Sequence, residues 1–170
     1  MNIEAFDKMD ATGAKVQLQR CCGATRWVQG MLERRPFQSK QAVLDAADMV
    51  WSGLDSSDWR EAFQHHPRIG DVAGLREKFA STAVWAKGEQ AATALADEAT
   101  LQALAEGNRQ YEARFGFIFI VCATGKTAVE MLNLLRGRLQ NQPEKEGAIA
   151  AAEQHKITRL RLEKLFEEAL

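Results

Sequence analysis

The sequence predicts an all-α fold: a single-domain helical bundle of about seven to nine helices over residues 1–170. Three observations predict it. Apolar residues recur at spacings of three and four through most of the chain and rarely alternate. Only three prolines, Pro36, Pro67 and Pro143, interrupt it, each at a loop. Capping residues bracket the periodic stretches, with Ser, Thr or Asp before them and Gly after.

Taken in order, the first helices are expected near 11–22 and 24–34, the second stopped by "RRP". Ser39 is a natural N-cap for 40–52, where Val43, Ala46, Ala47, Val50 and Trp51 share a face and Gly53 ends the run. "DSSDWREAFQHH" restarts a helix with a Ser or Asp cap and turns Trp59, Ala62 and Phe63 inward. Pro67 pushes the residue before it out of α space, so this helix ends near His65 or His66. Asp71 caps a short helix through Phe79, and Ser81 or Thr82 caps another that carries Trp85, Glu89, Ala92 and Leu95. Residues 97–114 follow, with Leu101, Leu104 and Ala105 apolar. After the apolar run 115–123, helices near 126–140 and 145–168 complete the chain.

A net charge of −1, with Lys and Arg scattered among Asp and Glu, argues against a nucleic-acid surface or a basic membrane face. The longest apolar run, Phe115 to Ala123, is too short to span a bilayer. "MNIEAFDKMD" has no apolar core of a secretory signal, so a cytoplasmic location is expected. The three cysteines, Cys21, Cys22 and Cys122, form no Cys-x-x-Cys, which argues against a disulfide framework or thiolate zinc site. "FIFIVCATGKTAVEML" ends like a phosphate loop, but Ile120 stands where the first glycine of Gly-x-x-x-x-Gly-Lys-Thr is needed. A buried apolar segment leading into a helix N-terminus is the plainer reading.

Three residues stand out as candidates for chemistry. His66, beside His65 and before Pro67, carries a ring that exchanges protons near neutral pH, or else caps carbonyls at a helix end. Glu89, four residues after Trp85, lies at the edge of an apolar face, either snorkelling or desolvated beside a partner. Arg161 falls in the register of Ile157 and Leu165, flanked by Leu160 and Leu162. A guanidinium in such a stripe requires a buried Glu, a cage of carbonyls or a substrate carboxylate. Arg138 and Arg159 read as surface charges, and His155 as solvated on the polar face of the last helix. One imidazole, one carboxylate and one inward arginine, without a metal-ligand set or nucleotide motif, suit cofactor-free proton chemistry on a small polar anion. The competing readings are a metal-dependent hydrolase of ureido compounds, for which no ligand set exists, and a helical interaction module, which would scatter these residues over separate surfaces.

Four motifs, in order, carry a resemblance: "HPRIGD" at 66–71, "EQ" at 89–90, "FGFIFIVCATGKT" at 115–127 and "EQHKITRLRLEKL" at 153–165. From about residue 60 to the end the chain resembles the 2-oxo-4-hydroxy-4-carboxy-5-ureidoimidazoline (OHCU) decarboxylase family. The resemblance implies an all-helical, homodimeric enzyme of uric acid breakdown in purine metabolism. It also implies conversion of OHCU to (S)-allantoin and CO2 with no metal or organic cofactor. By the same resemblance His66 is the catalytic proton donor and Glu89 works with it. Pro67, Ala86, Gln90, Phe119, Ile120, Val121, Cys122, Ala123 and Arg161 surround the substrate, and Arg161 binds it. Two positions depart from the family pattern. Ala86 replaces a common serine and so lacks the hydroxyl with which that residue would contact the substrate, and His65 replaces a small residue and receives no role.

Overall fold

The computed structural model describes residues 1–68, 71–85 and 97–167. Among them are nine α-helices and no strand. They fall into two units. One comprises Met1–His66, Ile120–Cys122 and Ala150–Leu170, and the other Pro67–Phe119 and Ala123–Ile149.

In the first unit, α1 (Ile3–Lys8), α2 (Ala11–Cys21), α3 (Thr25–Leu32), α4 (Lys40–Ser52) and α5 (Ser56–Gln64) join the C-terminal part of α9 (Pro143–Leu165). Short polar side chains start most of these helices. Asn2, Asp10 and Ser39 accept from the backbone N–H of Ala5, Gly13 and Ala42, and Asp55 and Asp58 form a capping box on α5. α3 has no cap of its own. Glu61, on α5, accepts from the backbone N–H of Thr25 at 2.9 Å instead, tying α3 to α5. α3 packs against α2, α4 and α5, with Trp27, Val28 and Met31 buried. Phe6 lies edge-on to Phe166, ring centres 5.2 Å apart, so α1 closes on the end of α9.

α4 has the expected bounds, cap and buried face. α5 differs in one respect: Ala62 and Phe63 are buried as expected, but Trp59 is half-buried and Asp58 is the buried neighbour. Asp58 is satisfied by Arg26 at 2.7 Å and by the backbone N–H of Asp55. α1 was not foreseen.

In the second unit, α6 (Val72–Trp85) and α8 (Ala128–Arg138) pack on α7 (Glu98–Phe115). The break expected between Phe79 and Ser81 is absent, because α6 runs through both positions. Asp71 does cap it, accepting from Gly74 N–H at 2.7 Å. Gly116, in the left-handed region at φ 75°, terminates α7. Gly107 lets α8 approach α7: a Cβ there would stand 2.6 Å from Leu135 Cδ2. At the start of α8, Thr127 and Glu130 form a capping box. The N–H groups a phosphate would need there are partly taken by the helix's own side chains.

The second unit also overturns the reading of Arg138 as a surface charge. Arg138 is 8% exposed and donates from Nε to Glu146, which is fully buried, at 2.6 Å. Tyr111 donates to the same carboxylate, and Asn141 reaches its other oxygen at 2.8 Å. The guanidinium also lies 4.7 Å over the ring of Phe119. Burial, and then the bond to Glu146, push the Tyr111 phenol far above its usual range.

Candidate active site

His66 sits one residue past the C-cap of α5. The last turn tightens into i→i+3 bonds, with His65 and His66 donating to Ala62 and Phe63 carbonyls at 3.2 Å each. Pro67 follows and prevents continuation. His65 packs against Gly23, where a Cβ would come 2.2 Å from its Cγ. These restraints fix the backbone that carries His66.

The His66 ring meets α9. Its Nε2 lies 2.5 Å from Oε1 of Gln154, a fully buried amide 88 positions later. Gln154 Nε2 donates to Thr158 Oγ1 at 3.2 Å, and that hydroxyl donates to the Gln154 carbonyl at 3.1 Å. Thr158 also hydrogen-bonds the Cys22 thiol. One turn further, Arg161 Nη1 donates to the Cys21 carbonyl at 3.3 Å. Gln154, Thr158 and Arg161 are spaced i, i+4, i+7 and so share one side of the helix, about 10 Å from first to last. Glu153 accepts from the backbone N–H of Cys122 at 2.7 Å, which fastens the segment Ile120–Cys122 to the same helix.

Arg161 is half-buried at the edge of the helix, in register with half-buried Ile157 and Leu165. The buried face runs instead through Ala151, Gln154, Thr158, Leu162 and Phe166. The expected apolar stripe is therefore one step out of register, because two buried positions are polar. Of the partners considered for Arg161, a backbone carbonyl is present, and among the described residues no carboxylate forms an ion pair with it. Its charge acts on the adjacent thiols. Burial raises Cys21 and Cys22 to about 11, and Arg161 pulls in the opposite direction without overcoming it.

His66, Ile120, Val121, Cys122 and Arg161 all belong to the first unit. Pro67, Phe119 and Ala123 belong to the second unit. Pro67 is exposed, and the Phe119 ring packs edge-on against Tyr111 at 5.2 Å. Ala86, Glu89 and Gln90 lie outside the described residues. Sequence reasoning missed Glu153, Gln154 and Thr158 as individual contributors. Their only sequence signal is the i, i+4, i+7 relation of Gln154 and Thr158 to Arg161. His155 is likewise not solvated on a polar face: it stacks on Trp51 at 5.7 Å and bonds Asp48 at 2.7 Å. Desolvation raises the Asp48 carboxyl, but Arg159 and His155 outweigh it and hold the group below its ordinary range. Among the described residues no three His, Cys, Asp or Glu side chains are grouped to hold a metal ion, and no helix is long and apolar enough to cross a membrane.

Comparison with known proteins identifies the family. The OHCU decarboxylase profile matches residues 7–163. The chain is 41% identical over 150 residues to the uric acid degradation bifunctional protein TTL of Arabidopsis thaliana, covering 87% of this chain and 46% of that protein. It therefore spans about half the length of that relative. It is 36% identical over 135 residues to the 2-oxo-4-hydroxy-4-carboxy-5-ureidoimidazoline decarboxylase of Amia calva, covering 78% of this chain and 75% of that one. Among solved structures it is similar to an OHCU decarboxylase crystallised in the presence of (S)-allantoin, with a TM-score of 0.72, 38% identity, and coverage of 88% of this chain and 96% of that one. An (S)-allantoin synthase, 17% identical, shares the fold at a TM-score of 0.71 over 96% of this chain and 54% of that one. With the profile spanning nearly the whole sequence and relatives above 35% identity, the chain belongs to the OHCU decarboxylase family.

Proposed function

We propose that this chain decarboxylates OHCU to (S)-allantoin in uric acid degradation, as a single cytoplasmic domain that forms a homodimer and uses no cofactor. The observation that carries this reading is the pairing of His66 with a buried amide on the helix that also presents Arg161. Family membership supplies the substrate.

The substrate holds its carboxylate beside a ring C=N group. When the C–CO2 bond breaks, its electron pair passes into that π system, so the substrate is its own electron sink. The protein must hold the breaking bond out of the ring plane and then protonate one face of the carbanion-like carbon. His66 delivers that proton. Glu89 orients or charges the imidazole, since a nearby carboxylate favours the protonated ring. Arg161 holds the anionic substrate with guanidinium donors beyond the one on Cys21. Gln90 and the backbone of Phe119, Ile120, Val121, Cys122 and Ala123 read the ureido and ring amides, with Pro67 and Ala86 completing the lining.

The test generates OHCU in place with urate-oxidising and hydrolysing enzymes, adds this protein with a chelator present, and follows ultraviolet decay and the circular dichroism of the product. Fast decay to single-handed allantoin is expected. Decay at the spontaneous rate to racemic product, with folded protein, overturns the proposal. His66→Ala is expected to lower kcat by about 10²- to 10⁴-fold, the usual worth of a positioned general acid.

A further inference from the structure

We propose that Gln154 is a positioning residue that fixes which nitrogen of His66 exchanges the proton. This rests on the decarboxylase reading above.

Thr158 sets the orientation of the Gln154 amide. Its hydroxyl has one proton, shared between the Gln154 carbonyl at 3.1 Å and the Cys22 thiol. Toward the Gln154 side chain it is therefore an acceptor, so the amide group facing it is the NH2, at 3.2 Å. The amide oxygen then faces His66, at 2.5 Å from Nε2. An oxygen that only accepts requires an N–H, so Nε2 carries a proton in both charge states of the ring. The nitrogen whose proton count changes is Nδ1. In the charged ring both nitrogens bear protons. Transfer sends the Nδ1 proton to the substrate carbon, whose electron pair forms the new C–H bond, and leaves the neutral Nε2–H tautomer with its bond to Gln154 intact. Water restores the Nδ1 proton for the next turnover. Gln154 is fully buried, so its amide has no bulk water to turn toward, and Thr158 one turn along the helix sets its orientation.

The fold-changes follow from the worth of a well-placed acid. Gln154→Met keeps the length and removes the acceptor. It is expected to lower kcat about 10²-fold with KM within about 3-fold. Gln154→Glu keeps an acceptor toward Nε2 and should recover at least about a tenth of the wild-type kcat. The direct readout is ¹⁵N–¹H long-range correlation of the His66 ring in uniformly labelled protein, assigned by loss of its signals in His66→Ala. The wild type should give the Nε2–H pattern when neutral, and Gln154→Met a mixture of both tautomers. A wild-type Nδ1–H pattern overturns the proposal, as does a folded Gln154→Met with unchanged kcat. Should Gln154→Met not fold, Thr158→Val frees the amide to flip and should give the tautomer mixture; a pure Nε2–H pattern there overturns the proposal. The two readings fail separately: wild-type protein with the Nε2–H pattern but no action on OHCU refutes the function and leaves the tautomer assignment standing.

Discussion

Arg161 reaches back 140 positions to hold the Cys21 carbonyl at 3.3 Å, so a guanidinium on the last helix is anchored by uncharged backbone. Only one of its five N–H donors is used in this bond. Arg161→Lys keeps the charge and loses the planar fork. It should fold normally and raise KM for OHCU about ten-fold with a smaller change in kcat. Steady-state kinetics, with far-ultraviolet circular dichroism to verify folding, check this. Normal turnover by folded Arg161→Lys would make the residue purely structural.

The buried pair in the second unit gives a stability prediction. Arg138→Met removes the cation and leaves Glu146 buried against Tyr111 and Asn141. The cost should be about 3–5 kcal/mol in urea unfolding. Arg138→Met combined with Glu146→Leu removes both charges and should recover more than half of that loss, because desolvation of the pair disappears with it. Equal losses in the single and double variants would contradict the account.

Alkaline pH should weaken the fold through the two adjacent thiols. Burial raises both from about 9 to about 11 in the native state. Between those values the unfolded chain has lost thiol protons that the folded chain retains. Stability is therefore fully present below about pH 9 and declines as pH rises toward 11, by on the order of 2 kcal/mol per thiol. Urea midpoints at pH 8 and pH 10.5 should differ clearly in the wild type and less in a Cys21→Ala, Cys22→Ala variant. In the native protein at pH 8, a thiol reagent should label half-buried Cys122 well before the buried pair.

Gly23 offers a test of how firmly the turn that carries His66 is held. A Cβ there would overlap the root of the His65 side chain, not its flexible tip. Gly23→Ala should cost about 1–3 kcal/mol, by the overpacking rule, and also lower kcat by displacing the residue beside His66. A folded variant with wild-type kcat would separate the two histidines mechanically.

These residues also indicate what a single sequence can and cannot disclose. α4 was readable in full because its cap, stop and apolar face are all local. α1 was not: six residues carry too little periodicity, and Phe6 is buried by a contact with Phe166 at the far end of the chain. The same limit explains Arg138 and Gln154. Both are polar by type, and only partners elsewhere in the chain decide that they are buried. His66 and Arg161 were singled out because unusual local company marked them: a second histidine and a proline for one, flanking leucines for the other. Glu89 was marked by its place at the edge of an apolar face and Gln90 by motif resemblance, and both lie outside the described residues.

The contacts that assemble the candidate site have a kinetic consequence. Helices α2 to α5 form from neighbours in sequence, whereas the His66–Gln154 and Arg161–Cys21 bonds close loops of 88 and 140 positions. Loop closure on that scale is entropically costly and late. During refolding from urea, helical signal should return before enzymatic activity does, and a nascent chain still lacking α9 would carry His66 without the amide it bonds.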